Sequence, residues 1–243
     1  MKQRIYRPQI LSLLAIAWMC CSSIAQESLP GQMDLRPNFE KWQLPVKLQG
    51  KRPTCSVFAT VGCLDYALAR KLGHAQPLSE EFANWAASQL IGRPKQDGHF
   101  FFEVVDAFEK YGCCLAEELP YSAKFDARQK PTEELMQSAT KLKREGLTLH
   151  WLRKLDAPRG LQDADIAAMK AVLARGWPLA VGSYHSIMLT GYQDDASLPG
   201  GGKFYVRDSE GNEKEITYQA AKERLHDMLW AEAPLPEKIP SQQ

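Results

Sequence analysis

The sequence predicts an α+β fold with a helical N-terminal lobe, an antiparallel-sheet C-terminal lobe and a cleft between them. Three observations carry that reading. From about residue 50 to 145, apolar side chains recur every three or four positions, the period of a helix face. From about 146 to 243 they gather instead in short runs or alternate, with glycine and proline between them, as strands do. The composition, 44% hydrophobic and 24% charged over 243 residues, is that of a globular chain long enough to bury a full core. Disordered, collagen-like and coiled-coil classes are excluded, and segregated helices and strands fit two lobes packed about a cleft.

The chain opens on Lys2, Arg4 and Arg7, followed by a 12-residue apolar stretch from Ile10 to Cys21, with small Ser23 and Ala25 before a cut. This is the layout of a secretory signal peptide over 1–25, and the stretch falls short of the ~20 apolar residues a membrane span requires. The mature chain, 26–243, is expected to be one domain, exported to the periplasm or secreted, with no stable membrane insertion. Without those three cations the remainder carries 27 basic against 29 acidic side chains. Such a balance gives no electrostatic case for nucleic acid.

Gln26 to about Gln49 lacks periodicity and contains Pro30, Pro37 and Pro45, so it is expected to wrap the domain in extended form. A helix beginning at Cys55 carries Val57, Phe58, Val61, Leu64, Leu68 and Leu72 with few polar residues, which marks it as central and buried; Thr54 is its expected N-cap. A second helix starts at Ser79, a capping residue followed by Glu80 and Glu81, and runs to Leu90. A third spans about Phe100 to Tyr111 and stops at Gly112, and a polar fourth covers Glu133 to Arg144. Leu147 to Leu152 alternates as a strand, and Asp163 to Arg175 is an amphipathic helix closed by Gly176 and Pro178. Pro178–Gly182, Ser186–Tyr192 and Lys203–Arg207 are apolar strand candidates.

Of six cysteines, Cys20 and Cys21 leave with the signal peptide, and Cys55, Cys63, Cys113 and Cys114 remain. No Cys-x-x-Cys or paired-histidine spacing suggests a metal site. Cys63 and the vicinal Cys113 and Cys114 admit either one disulfide from Cys63 to a member of the pair or three buried thiols. Cys55 is different. As the first residue of a buried helix it meets unpaired N–H groups and the positive end of the dipole, which favour a thiolate.

Gln49 lies six residues before Cys55 in Val46-Lys-Leu-Gln-Gly-Lys-Arg-Pro-Thr-Cys-Ser-Val-Phe-Ala, a stretch that resembles the active-site segment of the papain family of cysteine peptidases. The resemblance covers roughly residues 33 to 211. It implies that Cys55 is the nucleophile and that the Gln49 side chain and the Cys55 N–H hold an oxyanion. His185-Ser-Ile-Met-Leu-Thr-Gly-Tyr matches the family's histidine strand, and Val206-Arg-Asp-Ser-Glu-Gly puts Asp208 in the position that orients the imidazole, usually an asparagine there. Asp97-Gly98-His99 sits where a Gly-Gly pair passes along the substrate, making Gly98 a substrate contact by resemblance. His74, His99, His150 and His226 have no such context and are expected to be surface or packing residues. In the family's pattern Ser56 and Glu210 replace tryptophans, and Arg52 replaces a cysteine that ties the loop by a disulfide. Only Ser183 and Tyr184 separate Gly182 from His185, a short hairpin that, with the aspartate, looks more like the bacteriocin-leader peptidases of the same clan.

The resemblance therefore implies an exported cysteine-type peptidase acting on a peptide or protein substrate, with no cofactor and no metal. A papain-fold amidase or transferase acting on another amide, such as a cell-wall peptide, is the alternative, as is a catalytically dead papain-fold binding module. Because 23 residues separate Ala25 from Gln49, no inhibitory prosegment is expected. Control would then rest on a proteinaceous inhibitor, on compartment or on narrow specificity.

Overall fold

The computed structural model of the chain describes residues 29–155 and 160–235, so the expected signal peptide lies outside the described residues. In chain order the elements are β1 (Gln32–Asp34), α1 (Arg36–Lys41), α2 (Cys55–Leu72), α3 (Glu80–Leu90), α4 (Phe101–Tyr111), α5 (Glu133–Arg144) and β2 (Thr148–Arg153). They continue with α6 (Asp163–Ala174), β3 (Leu179–Val181), β4 (Ile187–Asp194), β5 (Gly202–Arg207), β6 (Glu213–Thr217), α7 (Tyr218–Arg224) and β7 (Met228–Glu232).

The apolar repeat of α2 makes it the axis of the molecule. Val57, Val61, Leu64, Tyr66 and Leu68 are buried, and the helix packs on α3 and α4 to one side and on β3, β4 and β7 to the other. Ser79 caps α3 as expected, its hydroxyl accepting from the Phe82 N–H at 3.0 Å. The strands form one antiparallel sheet in the order β2-β7-β3-β4-β5-β6, with β1 added along the C-terminal half of β4. Gly191 on β4 makes that addition possible: a Cβ there would stand 2.3 Å from the Met33 carbonyl oxygen.

The register decides where the chemistry falls. Val181 opposes Ile187 and Met228, and Met188 opposes Arg207. The end of β3, the starts of β4 and β7 and the end of β5 therefore meet at one end of the sheet. His185, Asp208 and the segment before β7 are delivered there together, facing the N-terminus of α2.

The segment expected to be extended wrapping is a correction, because it contains β1 and α1. Pro37 lies in the first turn of α1, where a proline costs no hydrogen bond and presets the helical φ. Farther along the same segment, Lys47 reaches buried Asp65 on α2 and Glu80 on α3, both at 2.7 Å, and ties the strap to the helical lobe. Burial, and the charge of the neighbouring Asp65, push the Glu80 carboxyl above its usual range against the pull of the Lys47 ammonium. Cys63, Cys113 and Cys114 are free and buried, so of the two options the thiols are found rather than a disulfide. No helix among the described residues is long and apolar enough to cross a membrane.

Candidate active site

Cys55 opens α2, and the details of that helix start matter. Thr54 occupies the N-cap position but makes no side-chain cap; its Oγ1 pairs instead with the Tyr121 hydroxyl at 2.7 Å. The expected cap is thus corrected: the tyrosine competes successfully for the threonine hydroxyl, and no side-chain oxygen of Thr54 screens the helix dipole at Cys55. Ser56 turns its hydroxyl the other way, onto the His99 carbonyl.

His185 is fixed from its own backbone. Ser183 Oγ donates to the His185 carbonyl at 2.7 Å and accepts from its N–H at 3.2 Å. On the ring, Nε2 meets Asp208 Oδ1 at 2.7 Å, which leaves the other nitrogen for the thiol. Burial opposes ionisation of Cys55, but hydrogen bonds from His185 and Ser186 outweigh it and pull the thiol below its usual value. The Cys55 hydrogen bond, followed by the Asp208 hydrogen bond and charge, raises His185 to about 9 against the effect of its own partial burial. Asp208 is buried, yet its contacts with His185, Glu210 and Lys214 hold its carboxyl below the ordinary range. Two shifts in opposite directions favour a thiolate beside an imidazolium.

Gln49 is clamped by both ends of its amide. Ser209 Oγ donates to Oε1 at 2.6 Å, and Nε2 donates to the Arg52 carbonyl at 2.9 Å, leaving the second Nε2 proton for a ligand. Gln49, Cys55, Gly98 and His185 all line one cleft of about 470 Å³. Gly98 has φ +79°, and a Cβ there would stand 2.1 Å from the Pro53 carbonyl oxygen, so glycine is required for the loop to lie against the Cys55 segment. Its N–H donates to Asn84 Oδ1 at 3.0 Å and its carbonyl accepts from Gln96 at 3.1 Å. A substrate would therefore find only the carbonyl's remaining lone pair.

Arg52 does by charge what a disulfide does by covalency. Its guanidinium, 4% exposed, meets Glu81 at 2.5 Å and Asp97 at 2.9 Å, and lies 4.4 Å over the Tyr121 ring. The Gln49–Cys55 loop and the Gly98 loop are joined through it.

The histidines left aside in the sequence divide. His99 is buried, its ring between Ser88 Oγ at 3.0 Å and Glu103 at 3.3 Å, and burial lowers its basicity. His226, expected on the surface or in packing, instead lines the cleft and pairs with Asp227 at 2.9 Å. Lys214 was also missed; its Nζ lies 2.9 Å from Asp208 Oδ2 and 3.0 Å from Glu210. The only sequence signal for it is the four-residue step from Glu210. His185, Asp208 and Glu210 bring potential ligand atoms within 4.8 Å of one another. The Lys214 ammonium already lies against both carboxylates and opposes a metal cation there.

Fold and site together define a papain-like architecture, a cleft between a helical lobe carrying a cysteine and a sheet lobe carrying a histidine–carboxylate pair. Solved structures that share it include two described as cysteine proteases. The chain is similar to xylellain, a cysteine protease from Xylella fastidiosa, with 19% identity, a TM-score of 0.64 and coverage of 85% of this chain and 87% of that one. It is also similar to digestive procathepsin L 3 from the Tenebrio molitor larval midgut, with 17% identity, a TM-score of 0.61 and coverage of 86% and 71%. The ragweed pollen allergen Amb a 11, a cysteine protease in its proform, gives 18% identity, a TM-score of 0.63 and coverage of 88% and 69%. No protein-family model and no curated protein matches the sequence.

Proposed function

We propose that the chain is an exported cysteine-type peptidase that hydrolyses peptide bonds with Cys55 as nucleophile, His185 as general acid and base, Asp208 orienting the imidazole and Gln49 binding the oxyanion. The observation that carries the proposal is His185 held between the Cys55 thiol and the buried Asp208 carboxylate, with the thiol lowered and the imidazole raised to about 9.

The Cys55 thiolate adds to the scissile carbonyl, and the oxygen that gains the electron pair points to the Cys55 N–H and the second Nε2 proton of Gln49. As the C–N bond breaks, the imidazolium gives its proton to the leaving amine. His185, now neutral, takes a proton from water as the hydroxide attacks the thioester. As the tetrahedral intermediate collapses, the C–S electron pair leaves with Cys55 as thiolate beside the imidazolium that has kept that proton, which releases the carboxylic product and restores the enzyme. The first 25 residues supply the argument for export.

Peptide hydrolysis by the purified mature chain tests this reading, with a mixed peptide library as substrate and products identified by mass spectrometry. Cys55→Ala is expected to lower the rate by about 10³-fold or more. Hydrolysis unchanged by that substitution would overturn the proposal.

A further inference from the structure

The two oxygens of Asp208 have different partners. Oδ1 takes His185 Nε2 at 2.7 Å and the Glu210 N–H at 3.0 Å, while Oδ2 takes the Lys214 ammonium at 2.9 Å. Lys214 stands on β6 directly opposite Val206 of β5, and Glu210 in the intervening turn holds its ammonium from the other side at 3.0 Å. From this arrangement we infer that Lys214 is a positioning residue for the peptidase reaction, locking the Asp208 carboxylate towards His185 and offsetting part of its charge. The inference rests on the peptidase reading for its purpose but not for its measurement.

The physical case has two parts. With both oxygens engaged, the carboxylate cannot rotate without breaking a charge-assisted hydrogen bond, so the ring it orients is held as well. The second part is electrostatic. A buried carboxylate acting alone would bind the imidazolium proton strongly, yet His185 must both give and take a proton in one cycle. A cation on the far oxygen weakens that hold. Lys214 is 45% exposed, so as an ion pair it adds little stability. Its partner carboxylate is 1% exposed, and there the field reaches His185 with little intervening water.

Other charged groups near the pair are arranged differently. Cys55 faces His185 from α2, and Arg207 on β5 turns to the Leu44 carbonyl at 3.1 Å. Across the cleft, Asp97 is taken by Arg52 and His99 by Glu103, and on the His185 side Asp227 is taken by His226. Among the described residues, Lys214 is the cation that touches Asp208 besides His185.

The test is the titration of His185, followed by its imidazole 13Cε1 resonance, in the full mature chain and in Lys214→Met, Lys214→Gln and Lys214→Arg. Loss of the positive charge is expected to raise the His185 titration by about 0.5 to 1 pH unit in both neutral variants, with the arginine variant close to the unsubstituted chain. The alkaline limb of kcat/KM should move with it. A role in folding alone would change the thermal midpoint and leave the folded-state titration where it was. An unmoved titration in a folded neutral variant overturns the inference, and using two neutral variants guards against one failing to fold. A shifted titration in a chain that hydrolyses no peptide upholds the charge coupling and overturns the peptidase reading instead.

Discussion

An imidazole between a thiol and a carboxylate keeps its proton for two reasons, and the residue-scale predictions come from separating them. His185 stands at about 9 because of Cys55 first and Asp208 second. Its protonated form is therefore favoured up to that pH and lost as pH rises through it. In Asp208→Asn the hydrogen bond can persist but the negative charge does not, and the Lys214 ammonium is left uncompensated beside the site. Both effects disfavour the imidazolium, so the alkaline limb of kcat/KM is expected to fall by about 1 pH unit or more. An unmoved limb would mean that Asp208 has no electrostatic hold on the ring. Cys55, His185, Gln49 and Asp208 were legible because each lies in a local pattern of residue types. Lys214, His226 and Asp227 were not, since Lys214 reaches Asp208 only through the pairing of β6 with β5, and His226 and Asp227 reach the cleft only through that of β7 with β3. Nothing in their local sequence records that pairing.

At the scale of elements, the helices α2 to α6 were legible from the helical spacing of their apolar residues, as Val57, Val61, Leu64 and Leu68 show for α2, which is buried nearly all round. The unread elements lacked that signal. β1 is three residues long, α1 and α7 are under three turns, and β6 is an edge strand of Glu-Lys-Glu-Ile-Thr whose charges suit an exposed edge. Loop positions were partly legible: Gly98 was singled out, but the charge lock that holds its loop appears only in three dimensions. Arg52 spans Glu81 on α3 and Asp97 beside Gly98 from a buried position. Its removal would leave two carboxylates short of a cation. Arg52→Met is expected to cost about 3 kcal/mol in urea denaturation, with Arg52→Met, Glu81→Gln and Asp97→Asn combined regaining much of the loss. A loss below about 1 kcal/mol in the single variant would show the lock to be dispensable.

For the molecule as a whole, the site depends on two lobes meeting at one helix. α2 brings Cys55 from the helical lobe, yet the same helix packs on β3, β4 and β7; His185 and His226 precede β4 and β7, and Asp208 follows β5, whose end pairs with the start of β4. The α+β class and the cleft followed from the change of periodicity along the chain. The order of the sheet did not, because β1 and β7 enter it from opposite ends of the sequence and strand pairing at that separation leaves no local trace. The thiolate reactivity proposed for Cys55 thus depends on the assembled lobes. The most direct measurement of the central claim is labelling of the purified mature chain by an epoxide-type thiol inhibitor, with the adduct located by mass spectrometry, alongside His185→Ala. Rapid modification at Cys55 is expected, slowed by the substitution by at least about tenfold. Slow labelling, or labelling indifferent to His185, would contradict that claim and leave a papain-like fold without an activated thiol.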